Sequence, residues 1–398
     1  MARFSFVDGR VGWRYLAVSA GAHQVRAVQR FARGVRHATV PGVRARALAG
    51  PGIRYHAAEA GHEVRLTVPG EFDAADRRAI RQRDVTSVPE QFVLELPRAT
   101  LTGREGWVFH DGRLVEDLWQ EAGFPARSLL PPSRSLRPPV HLPGTTVSLL
   151  MPWSPNYYHW TVQTVPRVLH VRRALGGSLD DVDQWLVPGR APAFVAQWLD
   201  LLGVPASRRV EVVDADAQFS TDRLVVSSVP GRNRWVSAPT VDLVRRAALP
   251  VPPTGTGRRL LLHRDGQVRR LLNADAVLEA LARRGFEVVD PAALSITEEA
   301  RTFAEADIVV GVHGAGLTNL VFCRPGASVV ELTPRSLVYP TFAKLALAAG
   351  VRHRVVVGSE PRLPWPLRFP DTHADLLVDV SRLLAAVESE LARLAHSC

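Results

Sequence analysis

Apolar runs and helical stripes alternate most regularly in the second half of the chain. Residues 259–263 read as a strand, 273–284 as a helix opened by Asn273 as its cap and stopped at Gly285, and 286–289 as a strand. Ser295 followed by Glu298 is a capping box for the next helix. Residues 308–312 form a short buried strand, His313-Gly-Ala-Gly a turn, 317–322 a short helix, Pro325-Gly326 a second turn, and 327–332 another strand. Residues 342–349 and 373–396 read as helices. The last carries Leu376, Val380, Leu383, Leu384, Val387, Leu391 and Leu394 on one face, which is a packing face. Strand–helix repeats of this length imply a parallel sheet with right-handed crossovers.

The middle of the chain has the same rhythm with shorter elements. Strands are expected at 146–151, 185–187, 210–213 and 224–227, and helices at 157–175, 193–202 and 239–248. Upstream, residues 92–96 alternate, and Asp111-Gly112 between apolar flanks is a β-hairpin signal. Pro131, Pro132, Pro138 and Pro139 mark a linker, and Pro250-Val-Pro-Pro-Thr-Gly-Thr-Gly is the strongest boundary. The expected organisation is a basic, β-rich N-terminal portion (1–140), an N-terminal Rossmann-like domain (141–250) and a C-terminal Rossmann-like domain (255–398). Residues 1–85 are the least legible. Within them, 22–35 make a helix with Arg26, Arg30 and Arg33 opposite Val25, Val28, Phe31, Ala32 and Val35. Such a helix is either solvated or lies peripherally on an anionic membrane.

Composition narrows the function classes. The 398 residues carry a net charge of +10, almost entirely as arginine; Lys344 is the only lysine. A basic chain suits nucleic acid, anionic membrane or anionic substrates, but no nucleic-acid module is visible, so nucleic acid is excluded as a partner. No apolar run reaches the roughly 18 residues of a membrane span, and no secretory signal is apparent. Cys323 and Cys398 form neither a disulfide framework nor a metal-ligand spacing. The expectation is a cytoplasmic protein, with the inner membrane face as a second station.

The strongest chemical signal is the turn at 313–316. A strand that enters a glycine turn and then a helix presents unpartnered N–H groups and partial positive charge, a natural phosphate cradle. Gly314, Ala315 and Gly316 supply backbone, and His313 can donate to an anionic oxygen at the carboxyl end of the strand. A tight turn with no ligand is the plain alternative. The glycine spacing does not fit the dinucleotide fingerprint.

An ordered set of motifs resembles the family 61 glycosyltransferases, which add sugars such as xylose, arabinose or N-acetylglucosamine to glycans. The set is Asn156-Tyr-Tyr-His-Trp, Val165-Pro-Arg, Leu262-His-Arg-Asp, Arg269-Arg-Leu-Leu-Asn, Gly285-Phe-Glu-Val-Val, and the block from Val312 through Phe322 with Pro325-Gly and Glu331. Each motif is weak alone; their order across roughly residues 90–335 is specific. The chain is expected to be of the bacterial capsular-polysaccharide-biosynthesis type.

The resemblance implies an α/β, GT-B-like fold with two facing Rossmann-like domains and a cleft between them. It also implies inverting, metal-independent transfer from a nucleotide sugar, with a UDP-sugar the favoured donor and no other cofactor. The acceptor would be a glycan or a small-molecule hydroxyl. Asp214-Ala-Asp216 reads as a turn rather than a metal site. Without a metal, fixed cations must neutralise the leaving diphosphate. Arg264, Arg269 and Arg270 are the candidates, with His313, Asn319 and the glycine turn. Glu331 would bind a ribose hydroxyl or brace the turn.

His159 is the candidate base, or else a histidine that positions Tyr157 or the glycine loop. Gln163, one helical turn on, stands where the family carries a carboxylate, and glutamine cannot be a base. Glu299 stands where glutamine is expected. The alternative function is therefore a weak or inactive relative that binds glycan or nucleotide.

Overall fold

The computed structural model describes residues 41–68, 74, 77–78, 80, 85–119, 136–249, 257–262, 268–337, 339–361 and 374–396. The expected helix at 22–35, His263, Arg264, Pro131 and Pro132, and most of the proline–glycine boundary at 250–257 lie outside the described residues.

The chain is an α/β protein with two main sheet regions, an arrangement consistent with a GT-B-like fold. The first sheet has ten strands. Its parallel part is formed by Val140–Ser148, Gln184–Pro188, Arg209–Val212 and Gln218–Ser227. Gln218–Ser227 then pairs antiparallel with Gln91–Pro97 and Thr100–Thr102. The sheet continues through Trp107–His110 and Arg113–Val115 to Gly42–Val43, while Arg54–Glu59 pairs with Gln91–Pro97. Strands from both sides of residue 140 thus share one sheet. The strand at 140–148 begins only one residue after the expected proline linker. The Asp111-Gly112 hairpin forms as expected: both residues have positive φ, 48° and 70°, as a two-residue turn between twisted strands requires.

The second sheet has five parallel strands in the order Glu287–Val289, Arg258–Leu262, Ala306–Val312, Ser328–Pro334, Arg352–Gly358. In sequence order this is 2-1-3-4-5, a doubly wound topology. The strand order reverses between the strands ending at Leu262 and Val312, and ligands of such sheets bind in that crevice.

Side-chain caps open several of the helices. The Ser295–Glu298 capping box is present on the Ile296–Ala304 helix. Asn273 departs from expectation: its side chain caps nothing in the Ala274–Ala282 helix. Instead Nδ2 donates to the Val378 carbonyl at 2.8 Å and Oδ1 accepts from the Val378 N–H at 3.1 Å, pinning the C-terminal segment. The final helix is Val380–Ala395, capped by Asp379, with Leu383 and Val387 fully buried against the second sheet.

One apolar core runs through both halves. Trp160, Trp185 and Trp198 of the first half join Phe303, Leu317 and Phe322 of the second in a single buried cluster. Trp198 and Phe322 stack at 6.3 Å, and the Arg245 guanidinium donates to the carbonyls of Val321 and Cys323. Among the described residues no helix is long and apolar enough to cross a membrane.

Candidate active site

The first wall is a helix leaving the carboxyl edge of the first sheet. Asn156 caps it, its Oδ1 accepting from the N–H groups of Tyr158 (3.0 Å) and His159 (3.4 Å). The helix is α at Tyr157–His159, widens to a π turn at Trp160–Thr164, and returns to α at Val165–Ala174. Such widened turns recur at functional sites because they re-aim side chains. Arg167 anchors the helix to the sheet. Only 2% exposed, it donates to the carbonyls of Ser148, Leu149, Leu150 and Ser227, tying together the ends of two parallel strands.

His159 and Gln163 are brought together, Nδ1 to Oε1 at 2.6 Å. Gln163 Nε2 donates to the Pro230 carbonyl at 3.4 Å. A carbonyl can only accept, so the amide orientation is set and Oε1 must accept from His159. The Nδ1 of His159 therefore carries the hydrogen, and Nε2 keeps its lone pair. The ring stacks on Trp153, centroids 5.5 Å apart, with Tyr158 edge-on. Burial pushes the pKa of His159 down to about 4; the hydrogen bond it donates to Gln163 opposes this, and the charge of Arg234 adds to it. His159 is neutral at pH 7.

The second wall lies at the switch point of the parallel sheet. His313 follows the Ala306–Val312 strand, and its Nδ1 pairs with Glu331 Oε1. His353 Nε2 takes the other carboxylate oxygen at 2.6 Å. Burial alone would raise the Glu331 carboxyl, but the charge and hydrogen bond of His313, with the help of His353, hold it at about 2. Both oxygens of this carboxylate are committed to imidazoles and its side chain is 4% exposed, so Glu331 ties the His313 turn to the neighbouring strand.

Arg269, with a left-handed φ of 55°, donates from Nε to the His313 carbonyl at 2.8 Å. Its neighbour behaves differently. Arg270 grips Asp375 with Nε (3.0 Å), Nη2 (2.7 Å) and its backbone N–H (2.7 Å). Its side chain is thus paired with a buried carboxylate, whereas the Arg269 side chain bonds the His313 carbonyl.

The segment after the turn, Ala315–Phe322, is a 3-10 helix rather than an α-helix. Its tighter pitch lets the Leu317 N–H bond the Gly314 carbonyl at 2.9 Å, so the N–H groups of Ala315 and Gly316 are those left at its start. Gly314 is extended, at φ 174°. A Cβ on Gly316 would meet Pro291 at 3.7 Å, an ordinary contact, so protein packing does not require glycine there.

The two walls meet at a polar joint. The Tyr157 hydroxyl lies on Glu299 and 2.6 Å from Asn319 Oδ1. The tyrosine hydroxyl is the donor in both contacts, shared between the Glu299 carboxyl and the Asn319 amide oxygen. Burial raises the Glu299 carboxyl to about 7, despite hydrogen bonds from Tyr157 and Asn319 that oppose it. Asn319 therefore faces this joint, fully buried. Beside it, the Phe342 ring touches both Tyr158 (6.1 Å) and His313 (4.9 Å), so the helix of His159 and the turn of His313 share a boundary.

A pH dependence follows. The folded state binds a proton on Glu299 up to about pH 7, whereas the ordinary carboxyl loses it near 4.5. Unfolding free energy should therefore fall as pH rises from about 4.5 to 7 and then level off, by up to about 3 kcal/mol from this group. Denaturant titrations across that window should show the slope in the native chain and not in Glu299→Gln.

Asp214 and Asp216 form the expected turn, both paired with Arg137 at 3.0 and 3.1 Å. Among the described residues no group of three His, Cys, Asp or Glu is placed to hold a metal ion. Sequence reasoning missed the partnership of Tyr157 with Glu299, the second imidazole at His353, and Arg234.

The comparisons with known proteins bear on the same residues. The Glycosyltransferase 61 family model matches residues 157–330, a little under half of the chain. An alpha-1,3-arabinosyltransferase of Oryza sativa subsp. japonica is 40% identical over 79 residues, 19% of this chain and 14% of that protein. A beta-1,2-xylosyltransferase of the same plant is 37% identical over 91 residues, 23% of this chain and 16% of its own length. The EGF domain-specific O-linked N-acetylglucosamine transferase of Mus musculus is 38% identical over 86 residues, 20% of this chain and 16% of that protein. The matched stretches thus span about a sixth or less of these relatives. Together the matches support a glycosyltransferase enzyme. They correct the expectation of a bacterial capsular type, because the similarity found is to plant arabinosyl- and xylosyltransferases.

Proposed function

We propose that the chain is an inverting, metal-independent glycosyltransferase that moves a sugar from a nucleotide-sugar donor, with UDP-sugar favoured, to a hydroxyl of a glycan acceptor. In this reading the two halves are the facing Rossmann-like units of a GT-B enzyme, the second holding the donor. The observation that carries it is the meeting of two walls: a neutral His159 with a free Nε2 lone pair on one, and the His313 turn with Arg269 at the sheet's switch point on the other.

The acceptor hydroxyl attacks the anomeric carbon from the His159 side, and its proton passes to Nε2. The bond from the anomeric carbon to the phosphate oxygen breaks, and its electron pair leaves with the diphosphate. A new glycosidic bond of inverted configuration results. Arg269, His313 and the N–H groups of Ala315 and Gly316 face the charge that develops on the leaving group. Gln163 keeps His159 in the tautomer this requires, so the missing carboxylate does not abolish the base. Arg264, whose position lies outside the described residues, remains a proposed donor ligand on its sequence position.

A thermal-shift screen of UDP-, GDP- and ADP-sugars against the whole chain tests the reading, followed by product detection for any donor that binds. A donor that raises the melting temperature and loses its sugar to a glycan supports it. Binding with no transfer to any acceptor favours the inactive binding relative, and no binding at all overturns both.

A further inference from the structure

The segment Pro230-Gly-Arg-Asn-Arg-Trp235 is bonded to the helix of His159 through Tyr158 and Gln163 and is held in an uncommon backbone conformation. Gly231, Asn233 and Arg234 all have positive φ, at 85°, 50° and 59°. A Cβ on Gly231 would sit 1.8 Å from the Trp235 carbonyl oxygen, so only glycine fits. Consecutive left-handed residues other than glycine are costly and persist only where the surroundings over-determine them.

Those surroundings are specific. The Tyr158 hydroxyl donates to the Arg234 carbonyl at 3.1 Å, and Gln163 holds the Pro230 carbonyl. Lys344 Nζ donates to the Asn233 carbonyl at 3.0 Å and lies 5.0 Å from the centre of the Trp235 ring. Lys344 is 2% exposed and is the sole lysine among 49 basic residues. A compact amine that donates in three directions suits this enclosed spot; a planar guanidinium is larger and forked.

The side chain presented by this loop is Arg234. Its guanidinium lies 5.2 Å from the centre of the Tyr339 ring, on the second half of the chain, and its charge is felt at His159. Among the described residues the contact of the Arg234 guanidinium is with that aromatic ring and not with a carboxylate. Arg269 and Arg270, by contrast, are braced on protein acceptors. Tyr339 leads into the Thr341–Ala349 helix, whose Phe342 lies against His313. Arg234 thus reaches across to the second half at Tyr339, two residues before the helix that carries Phe342.

We propose that Arg234 is a ligand of the donor's diphosphate, supplied by the first half of the chain and positioned by Lys344. This rests on the glycosyl-transfer reading above. A cation from the first half completes the charge neutralisation begun by Arg269 and His313. It also makes diphosphate binding sensitive to how the two halves sit against each other.

The test measures the affinity of UDP, GDP, ADP and inorganic pyrophosphate by calorimetry for the whole chain, Arg234→Gln, Arg234→Lys, Lys344→Met and the Arg234→Gln/Lys344→Met double variant. Thermal midpoints without ligand serve as the folding control. Arg234→Gln should weaken the best nucleoside diphosphate about 10- to 100-fold, as loss of a charged hydrogen bond does. Pyrophosphate should weaken in parallel, and Arg234→Lys should keep part of the affinity. Lys344→Met should weaken binding in the native background and add little on top of Arg234→Gln, because it acts through that arginine. Unchanged diphosphate affinity in a folded Arg234→Gln overturns the proposal while leaving the glycosyltransferase reading intact. Failure of the native chain to bind any diphosphate overturns both.

Discussion

His159→Ala should lower the rate of sugar transfer by about 10² to 10⁴, the usual contribution of a positioned base, while leaving nucleotide affinity essentially unchanged. The separation of rate from binding is the decisive readout, because His159 belongs to the wall opposite the one proposed to hold the donor. The pH profile sharpens it. The proposed reaction requires neutral His159, whose pKa burial pushes to about 4, so the rate should rise with pH through about 4 and stay flat across neutrality. Gln163→Glu would set a carboxylate against Nδ1, 2.6 Å from the present amide oxygen, and favour the imidazolium. The acid limb should then move upward. A profile identical in both proteins would show that His159 takes no proton in the reaction.

Glu331→Ala should be the most damaging single change to stability near the donor wall. It removes the carboxylate from between two largely buried imidazoles, and breaking a buried pair from one side costs roughly 3–5 kcal/mol. Denaturant unfolding at pH 7 measures the loss, and diphosphate affinity should fall with it as the His313 turn loosens. Glu331→Gln retains an acceptor for one imidazole and should lose less. The pH sign follows from the depressed pKa. Stabilisation by Glu331 is fully present above about 4.5, the ordinary value, and is lost as pH falls through about 2. Acid unfolding of the native chain should therefore extend to lower pH than that of Glu331→Gln.

The second half of the fold was legible because its devices are local. A capping box, a glycine stop and a run of buried β-branched residues each declare themselves within a few positions. Strands at 258–262, 306–312 and 328–334 fell within two or three residues of expectation for that reason. The first sheet was read less well. Its antiparallel strands from residues 42–115 join the parallel strands of the next region, and nothing in a strand's own sequence names a partner more than a hundred residues away.

The site divides in the same way. His159, Gln163, His313 and Arg269 lie in short motifs and could be singled out from the chain alone. Arg270 could not be distinguished from Arg269, since the carboxylate that engages it is Asp375, 105 positions on. His353 was invisible for a similar reason. It reaches Glu331 only because the strand register sets His353 against Val329, placing the two side chains diagonally on one face. Arg234 depended on backbone strain, which composition does not reveal.

The lone lysine has a practical consequence. A lysine-specific protease has one place to cut this chain, after Lys344, and that bond lies within a buried helix behind the Trp235 ring. Cleavage can proceed only when this helix transiently opens, so the appearance of two fragments is a clock for local opening of that single element. Digestion timed with and without nucleotide would read how far ligand holds the second half closed, with no label and no engineered residue.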